Sequence, residues 1–277
     1  MSANGMAYHT VVHALEAAPG WTSQRRFASA VAHSINGHLP YQRYHAAGRA
    51  RRKANAREGV VERLVNDWLL VDLNPAVQLV RSVNRPALAV SLYNAYNASA
   101  NLAVRTNAAI FSSPSGEPSA VIAKRVLLSS QIDPELCRIG TISILNAIME
   151  IVARNEHERL VPKIYCLSDI AIHLGVERSA GAEVAHVFEA EGYIPVGEVA
   201  RRIGCHQRTL ERWLREEGLT AEAIRMSTRL IRATKRLRNS ESLTAIALEE
   251  GFSDQAQMTR AFRSSCGMTP STLRAAA

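Results

Sequence analysis

Apolar positions along the chain change period several times, and each change marks an expected element. Val60, Val61, Leu64, Val65, Trp68 and Leu69 recur at helical spacing, and Asn74-Pro75 ends or restarts that helix. Leu88, Val90 and Leu92 then alternate, as do Leu102 and Val104, the pattern of half-buried strands. Ala109 to Phe111 and Val121 to Leu128 are also strand-like, joined by the turn-rich SSPSGEPS (Ser112 to Ser119). Two to four strands are therefore predicted between roughly 87 and 129. Ile144, Leu145, Ile148, Met149, Ile151 and Val152 define an apolar helix over 139–152, expected in the core or at a dimer contact. Lys163 to Leu167 reads as one more strand and Ile170 to Glu191 as weakly helical. Before residue 59 little emerges beyond a short helix at Val31–Ile35, with breaks at Pro19-Gly20 and Pro40.

Beyond Pro195 the pattern becomes helical throughout and repeats itself. Val196, Val199, Ala200 and Gly204 recur 47 residues later as Leu243, Ile246, Ala247 and Gly251. Leu210, Trp213 and Leu214 recur 48 residues later as Met258, Ala261 and Phe262, so the second turn is one residue longer. Each unit reads as helix, glycine turn, helix. The glycine lets the chain reverse at positive φ, and Ala200 and Ala247 suit the close packing of the two helices. Ser253 and Asp254 stand where a cap of the last long helix belongs.

The polar face of each second helix follows the same register. At about 100° per residue, Arg208, Arg212 and Arg215 lie roughly 140–200° from Leu210, the apolar side. Ala256, Arg260 and Arg263 occupy the same angles relative to Met258, flanked by Gln255, Gln257 and Thr259; Thr209 and Glu211 flank the first set. Arginine can donate two hydrogen bonds to guanine O6 and N7, and glutamine can pair with adenine N6 and N7. Any amphipathic helix carries polar residues opposite its apolar stripe. Two matched copies behind matched glycine turns favour two helices that read a DNA major groove. Ala221 to Arg238, with Ile224, Leu230, Ile231, Thr234 and Leu237 at helical spacing, reads as one linking helix. Such a spacer would set the readers about 34 Å apart, one DNA turn.

Charge agrees with a polyanionic partner. The 277 residues carry a formal net charge of +8 and a pI near 9.7. The ends hold the excess: 8 Lys/Arg against 2 Asp/Glu over 1–60, 11 against 12 over 61–187, and 14 against 11 over 188–277. The run GRARRKANAR (Gly48 to Arg57) reads as a solvated helix face or arm, or as an auxiliary phosphate contact.

Other chemistry is poorly supported. Cys137, Cys166, Cys205 and Cys266 have no disulfide or metal-ligand spacing, and Cys205-His206 alone cannot form a metal site. Neither Cys137 nor Cys166 has a histidine or acidic cluster placed to activate it, and no glycine-rich phosphate loop occurs, so no enzyme, metal or cofactor is expected. No signal peptide and no bilayer-spanning stretch of about 18 apolar residues is read, which points to a cytoplasmic chain without a membrane partner.

The last part of the chain resembles a known family. IALEEGFSDQAQMTRAFRSSCGMTPSTLR is similar to the second helix-turn-helix of the AraC/XylS transcription regulators, through Ile246-Ala247, Gly251 to Asp254, Arg260, Phe262-Arg263, Gly267, Thr269-Pro270 and Leu273-Arg274. VGEVARRIGCHQRTLERWLREEG (Val196 to Gly218) resembles the first, and RLIRATKRL (Arg229 to Leu237) the linking helix. Thr228 and Leu273 depart from the residues common there. The resemblance implies sequence-specific binding to double-stranded promoter DNA and activation through RNA polymerase. Carried over by position, its contacts fall on Arg208, Glu211 and Arg212, and on Gln255, Gln257, Thr259 and Arg260; Arg215 and Arg263 join them by direction, Arg263 as a phosphate contact. Many members carry a ligand-sensing or dimerising module ahead of this domain, often a β-barrel. Too few strands are read here for a barrel.

The expected architecture is thus two-domain: a basic segment 1–59, an α+β sensor or dimerisation module 60–187 and an all-α domain 188–277 with two helix-turn-helix subdomains. A small-molecule effector and a homodimer through Ile139–Val152 would belong to the middle module. The competing reading is a nonspecific or architectural DNA-binding protein, which would share the charge but not the matched readers.

Overall fold

Helices account for most of the chain in the computed structural model, which describes residues 6–17, 20–54, 57–99, 104–112, 118–127, 135–158 and 163–276. A short strand β1 (Met6–Tyr8) leads into α1 (His9–Glu16), α2 (Ser23–Ile35), β2 (His38–Pro40) and α3 (Tyr41–Lys53). Next come α4 (Glu58–Val71), α5 (Pro75–Arg81) and α6 (Pro86–Ser99), then the strands β3 (Val104–Ser112) and β4 (Pro118–Leu127). The long α7 (Glu135–His157) is followed by α8 (Leu167–Leu174), α9 (Ala180–Glu191), α10 (Val196–Ile203) and α11 (Gln207–Glu216). The last elements are α12 (Ala221–Arg236), α13 (Leu243–Glu249), α14 (Gln255–Cys266) and α15 (Pro270–Ala276).

Among the described residues, the expected α+β character of the middle region is reduced to one antiparallel pair. β3 and β4 run in register from Val104 opposite Leu127 to Ser112 opposite Pro118, with an irregularity at Asn107/Ala108. Leu102, residues 113–117 of the predicted loop, and Leu128 lie outside the described residues, as does Pro19. A second small pair, β1 with β2, joins Met6 to Pro40 and Tyr8 to His38 in a segment that showed no strand pattern.

Two predicted strands are helix or loop instead. The alternation of Leu88, Val90 and Leu92 falls inside α6. Pro86 suits the first helical turn, and Ala87, Ala89, Ala95 and Ala98 favour continuation. The buried set Ala89, Leu92, Tyr93 and Tyr96 has helical spacing. Lys163 to Cys166 is irregular, and α8 begins at Leu167. Among the described residues no strand pairs with this segment; Gln78 takes that place, accepting from Tyr165 N at 3.1 Å and donating to Tyr165 O at 3.2 Å. Asp169 then accepts from Cys166 N at 2.8 Å and starts the helix.

α7 is a core helix. Leu136, Ile144, Leu145, Ile148, Met149 and Val152 are buried, while Ile142 is exposed. It packs on α4, α3 and α1, and Gly140 admits α1 closely, since a Cβ there would lie 3.0 Å from Val11 Cγ1. Contrary to the sequence reading, α7 is long and apolar enough to cross a membrane; 61% of its most apolar window is buried inside the protein.

The most consequential packing joins the two ends of the chain. α2 packs on α12 and α14, α5 on both, and α15 on α6. Ser34 Oγ lies 2.6 Å from Ser227 Oγ on α12. Ser265 on α14 donates to Ser34 O, while its own carbonyl accepts from Gly37 N and from Asn74 Nδ2, each at 2.9 Å. Small residues let the backbones approach, and the polar groups of Ser34, Gly37, Asn74, Ser227 and Ser265 pair with one another across it. One hydrophobic core runs continuously from Val11 to Leu273.

Candidate nucleic-acid interface

The repeat read from the sequence is reproduced bond for bond at the two turns. α10 ends at Gly204 with φ 83, and α13 is followed by Gly251 with φ 76. Cys205 N donates to Ala200 O at 2.9 Å, and Phe252 N donates to Ala247 O at the same distance. Left-handed glycine closure of this kind satisfies carbonyls that a helix end leaves open. α11 starts three residues after the first glycine and α14 four after the second.

Each second helix buries its apolar stripe and exposes the opposite one. Leu210 and Leu214 hold α11; Met258, Phe262, Ser265 and Cys266 hold α14. Trp213 departs from the expected core, being 38% exposed. It borders an open cleft of 1140 Å³ whose far wall is α2, with Trp21, Arg25, Ala28 and Ala32, and whose end is Arg178 and Glu183 at the start of α9. α11 is tied there by Glu217, whose two carboxylate oxygens accept from Ala180 N and Gly181 N at 2.8 Å each. A carboxylate at a helix N-terminus gains from both the free N–H groups and the helix dipole.

The candidate contact residues occupy the outer face. Arg208, Glu211, Arg212 and Arg215 are exposed on α11, and Gln255, Arg260 and Arg263 on α14; Gln257 and Thr259 are half-buried. Arg208, Arg215, Arg260 and Arg263 have no carboxylate partner among the described residues, and Arg212 has only a long contact of 3.9 Å to the exposed Glu216. Arginines elsewhere in this part of the chain are committed: Arg201 and Arg202 to Glu198, Arg225 to Glu222, Arg232 and Arg236 to Glu250. Burying or pairing an arginine spends its donors; these outward ones retain theirs.

The uncharged candidates are partly engaged within the protein. Asp254 Oδ1 accepts from Gln257 N at 2.6 Å, and Gln257 Oε1 accepts from Ser253 N at 2.7 Å, a reciprocal cap. Pairing of Gln257 with adenine would use that same oxygen and so compete with the cap. Gln255 Oε1 accepts from Thr244 Oγ1 at 3.0 Å, and Thr259 Oγ1 donates to Gln255 O at 2.9 Å. Glu211 accepts from Gln207 Nε2 at 2.7 Å. Asp254→Ala is expected to cost about 0.5–2 kcal/mol of stability, as loss of a side-chain cap does, and to weaken hydrogen-exchange protection at Gln257 before that of Phe262. Thermal melts with residue-resolved exchange check both.

The remaining sequence candidates are placed plainly. Arg51 of the basic run donates to Leu15 O at 2.5 Å, and Arg52 pairs with Glu135 at 3.0 Å, so part of that run serves the fold; Asn55 and Ala56 lie outside the described residues. Thr228 is buried and bonds back to Ile224 O at 2.9 Å, and Leu273 is buried. Burial and then its hydrogen bond to Asp169 push the Cys166 thiol up to about 11, which disfavours a thiolate nucleophile. Cys137 is buried with its thiol on Tyr44 O. Among the described residues no group of three or more His, Cys, Asp and Glu is placed to hold a metal ion.

The family comparison agrees with this geometry. Residues 199–276 match the family model described as a helix-turn-helix domain, and this part of the chain is a helix-turn-helix domain of the AraC type. That match supports DNA binding by this part of the chain. Among solved structures, the transcriptional regulator CdpR from Pseudomonas aeruginosa aligns at 18% identity with a TM-score of 0.34, covering 86% of this chain and 92% of that one. No curated protein matches in sequence.

Proposed function

We infer that the chain binds promoter DNA sequence-specifically, placing α11 and α14 in successive segments of the major groove. The observation that carries this is the matched set of outward arginines on the two helices, of which, among the described residues, only Arg212 has a carboxylate contact, a long and exposed one. Arg208, Arg212 and Arg260 are assigned to base edges, with Gln255, Gln257, Thr259 and Glu211 beside them; Arg215 and Arg263 are assigned to phosphates. Residues 188–277 form the DNA-binding part in this reading, and 60–187 the regulatory part. Activation through RNA polymerase follows from the AraC-type resemblance, and a cytoplasmic location from the role.

Effector control, expected of the middle module, is favoured instead by the cleft between α2 and α11, to which that module contributes only Arg178, Ser179, Ala180 and Glu183. A small molecule held between Trp21, Arg25 and Trp213 would act directly on the posture of the first reader. A homodimer would use the apolar side chains left exposed at Ile110, Phe111 and Val121 on the hairpin and Ile142 on α7, since the rest of that helix face is consumed inside. Sedimentation of the full chain tests it.

The specific-regulator reading is tested by selecting duplexes from a random library and comparing them with scrambled DNA at about 150 mM salt. A preference of roughly 10³-fold or more is expected. Discrimination below about tenfold would instead leave the nonspecific, architectural reading.

A further inference from the structure

We propose that Glu250 is a positioning residue that fixes the spacing between the two DNA boxes the protein accepts. The proposal rests on the assignment of α11 and α14 as readers.

Glu250 closes α13, one residue before the turn glycine of the second unit, and its side chain is 3% exposed. Its Oε2 accepts from Tyr193 Oη at 3.0 Å and from Arg232 Nε at 2.8 Å; its Oε1 accepts from Arg236 Nη1 at 3.3 Å. These partners come from different places. Tyr193 lies on the strand of chain that enters α10 and so opens the first unit. Arg232 and Arg236 are on the linking helix α12. One buried carboxylate therefore joins the first unit, the linker and the second unit.

The surroundings hold Tyr193 in place. The Arg229 guanidinium lies 4.9 Å from its ring centroid and 5.9 Å from that of Phe252, and Arg232 lies 5.8 Å from the Tyr193 ring. Gly251 has no side chain where a Cβ would meet Tyr193 Cδ2 at 2.7 Å. Burial and the neighbouring carboxylate push the phenol up, so it stays a donor. α10 and α11 rest mainly on α9, whereas α13 and α14 rest on one another and on α12, α2 and α5. The Glu250 cluster is thus a direct polar tie between the two units.

A charged joint differs from an apolar one in what it tolerates. Apolar surfaces slide with little loss, but a buried carboxylate loses its compensation as soon as its donors move. Its contribution is to geometry more than to stability. On DNA, one inserted base pair moves the second box by about 3.4 Å and turns it by roughly 34°. A stiff joint cannot follow that displacement without losing one reader.

The test uses the full-length protein and the duplex it enriches from a random library, together with versions carrying one base pair more or fewer between the boxes and versions with one box scrambled. The wild type is expected to lose about 100-fold on either spacing change, as when one of two boxes is lost. Tyr193→Phe, which keeps the ring and removes only the hydroxyl, and Glu250→Gln should cut that loss to about tenfold or less while leaving single-box affinity within about twofold. Spacing profiles of both variants that superimpose on the wild type overturn the proposal. Should Glu250→Gln fail to fold, Tyr193→Phe alone decides between these results. A wild type that enriches no sequence overturns the reader assignment itself, an outcome distinct from an unchanged spacing profile.

Discussion

Arg260→Ala should lower affinity for the enriched duplex by about 1–3 kcal/mol, roughly 5- to 150-fold, and relax base preference at one position of one box. Arg212→Ala should do the same in the other box. The size follows from what each guanidinium does in the free protein. Arg260 has no carboxylate partner among the described residues, and the 3.9 Å contact of Arg212 to Glu216 joins side chains that are 63% and 68% exposed. Such an exposed pair is worth little, so these donors reach DNA without breaking a bond that matters. Fluorescence anisotropy against duplexes substituted at single positions separates the two kinds of contact. A base contact loses discrimination locally; a phosphate contact, assigned to Arg263, weakens all sequences alike and lowers the salt slope by about one. Arg201→Ala is the control, because its guanidinium is paired with Glu198 on α10 and is not carried by α11 or α14. If neither Arg260→Ala nor Arg212→Ala changes specific binding, the outward faces have been misassigned.

Gly37→Ala is expected to be the most disruptive conservative change, destabilising the protein by about 3 kcal/mol or more, the upper end of overpacking. Gly37 follows α2, where it donates to the carbonyl of Ser265 on α14. A methyl group there would overlap that carbonyl oxygen and stand 2.5 Å from Asn74 Nδ2 and 3.3 Å from His33 O. Two of these three neighbours are backbone, so no rotamer change relieves the contact. The α2 segment must back away from α14, breaking the bonds of Ser34 and Gly37 to Ser265, and the Asn74 amide must shift from the added methyl. Urea unfolding midpoints measure the effect. Gly59→Ala in the first turn of α4, where nothing lies within 4 Å, should leave the midpoint unchanged or raise it. A Gly37→Ala midpoint equal to the wild type would mean that the contact between the chain ends does not exist in solution.

The second half of the chain was legible because its signals are local. Glycine at a positive-φ closure, alanine at a close helix crossing, and arginines in register with a buried leucine or methionine act within a few residues of one another. The first half was harder for an equally physical reason. Leu88, Val90 and Leu92 alternate, yet a short alternation does not determine period when alanines on both sides favour a helix. Tyr165 has the hydrogen-bonding needs of a strand, but what meets them is Gln78, 87 residues away. Trp213 sits on the apolar stripe of α11, and no local pattern shows that its neighbour is an open cleft. Glu250 looks like an exposed helix end until Tyr193, Arg232 and Arg236 are brought around it.

From sequence alone, then, came the two repeated units, the length of each turn, the cap of the last long helix and the outward arginines, since helix geometry converts spacing into direction without reference to the rest of the molecule. Tertiary structure alone decided that α2, from the least readable segment, lies against α14, that α7 serves the core, and that one buried carboxylate ties the two units together. Those features depend on small and polar groups from distant segments meeting at hydrogen-bonding distance, and such meetings leave no periodic trace in the chain.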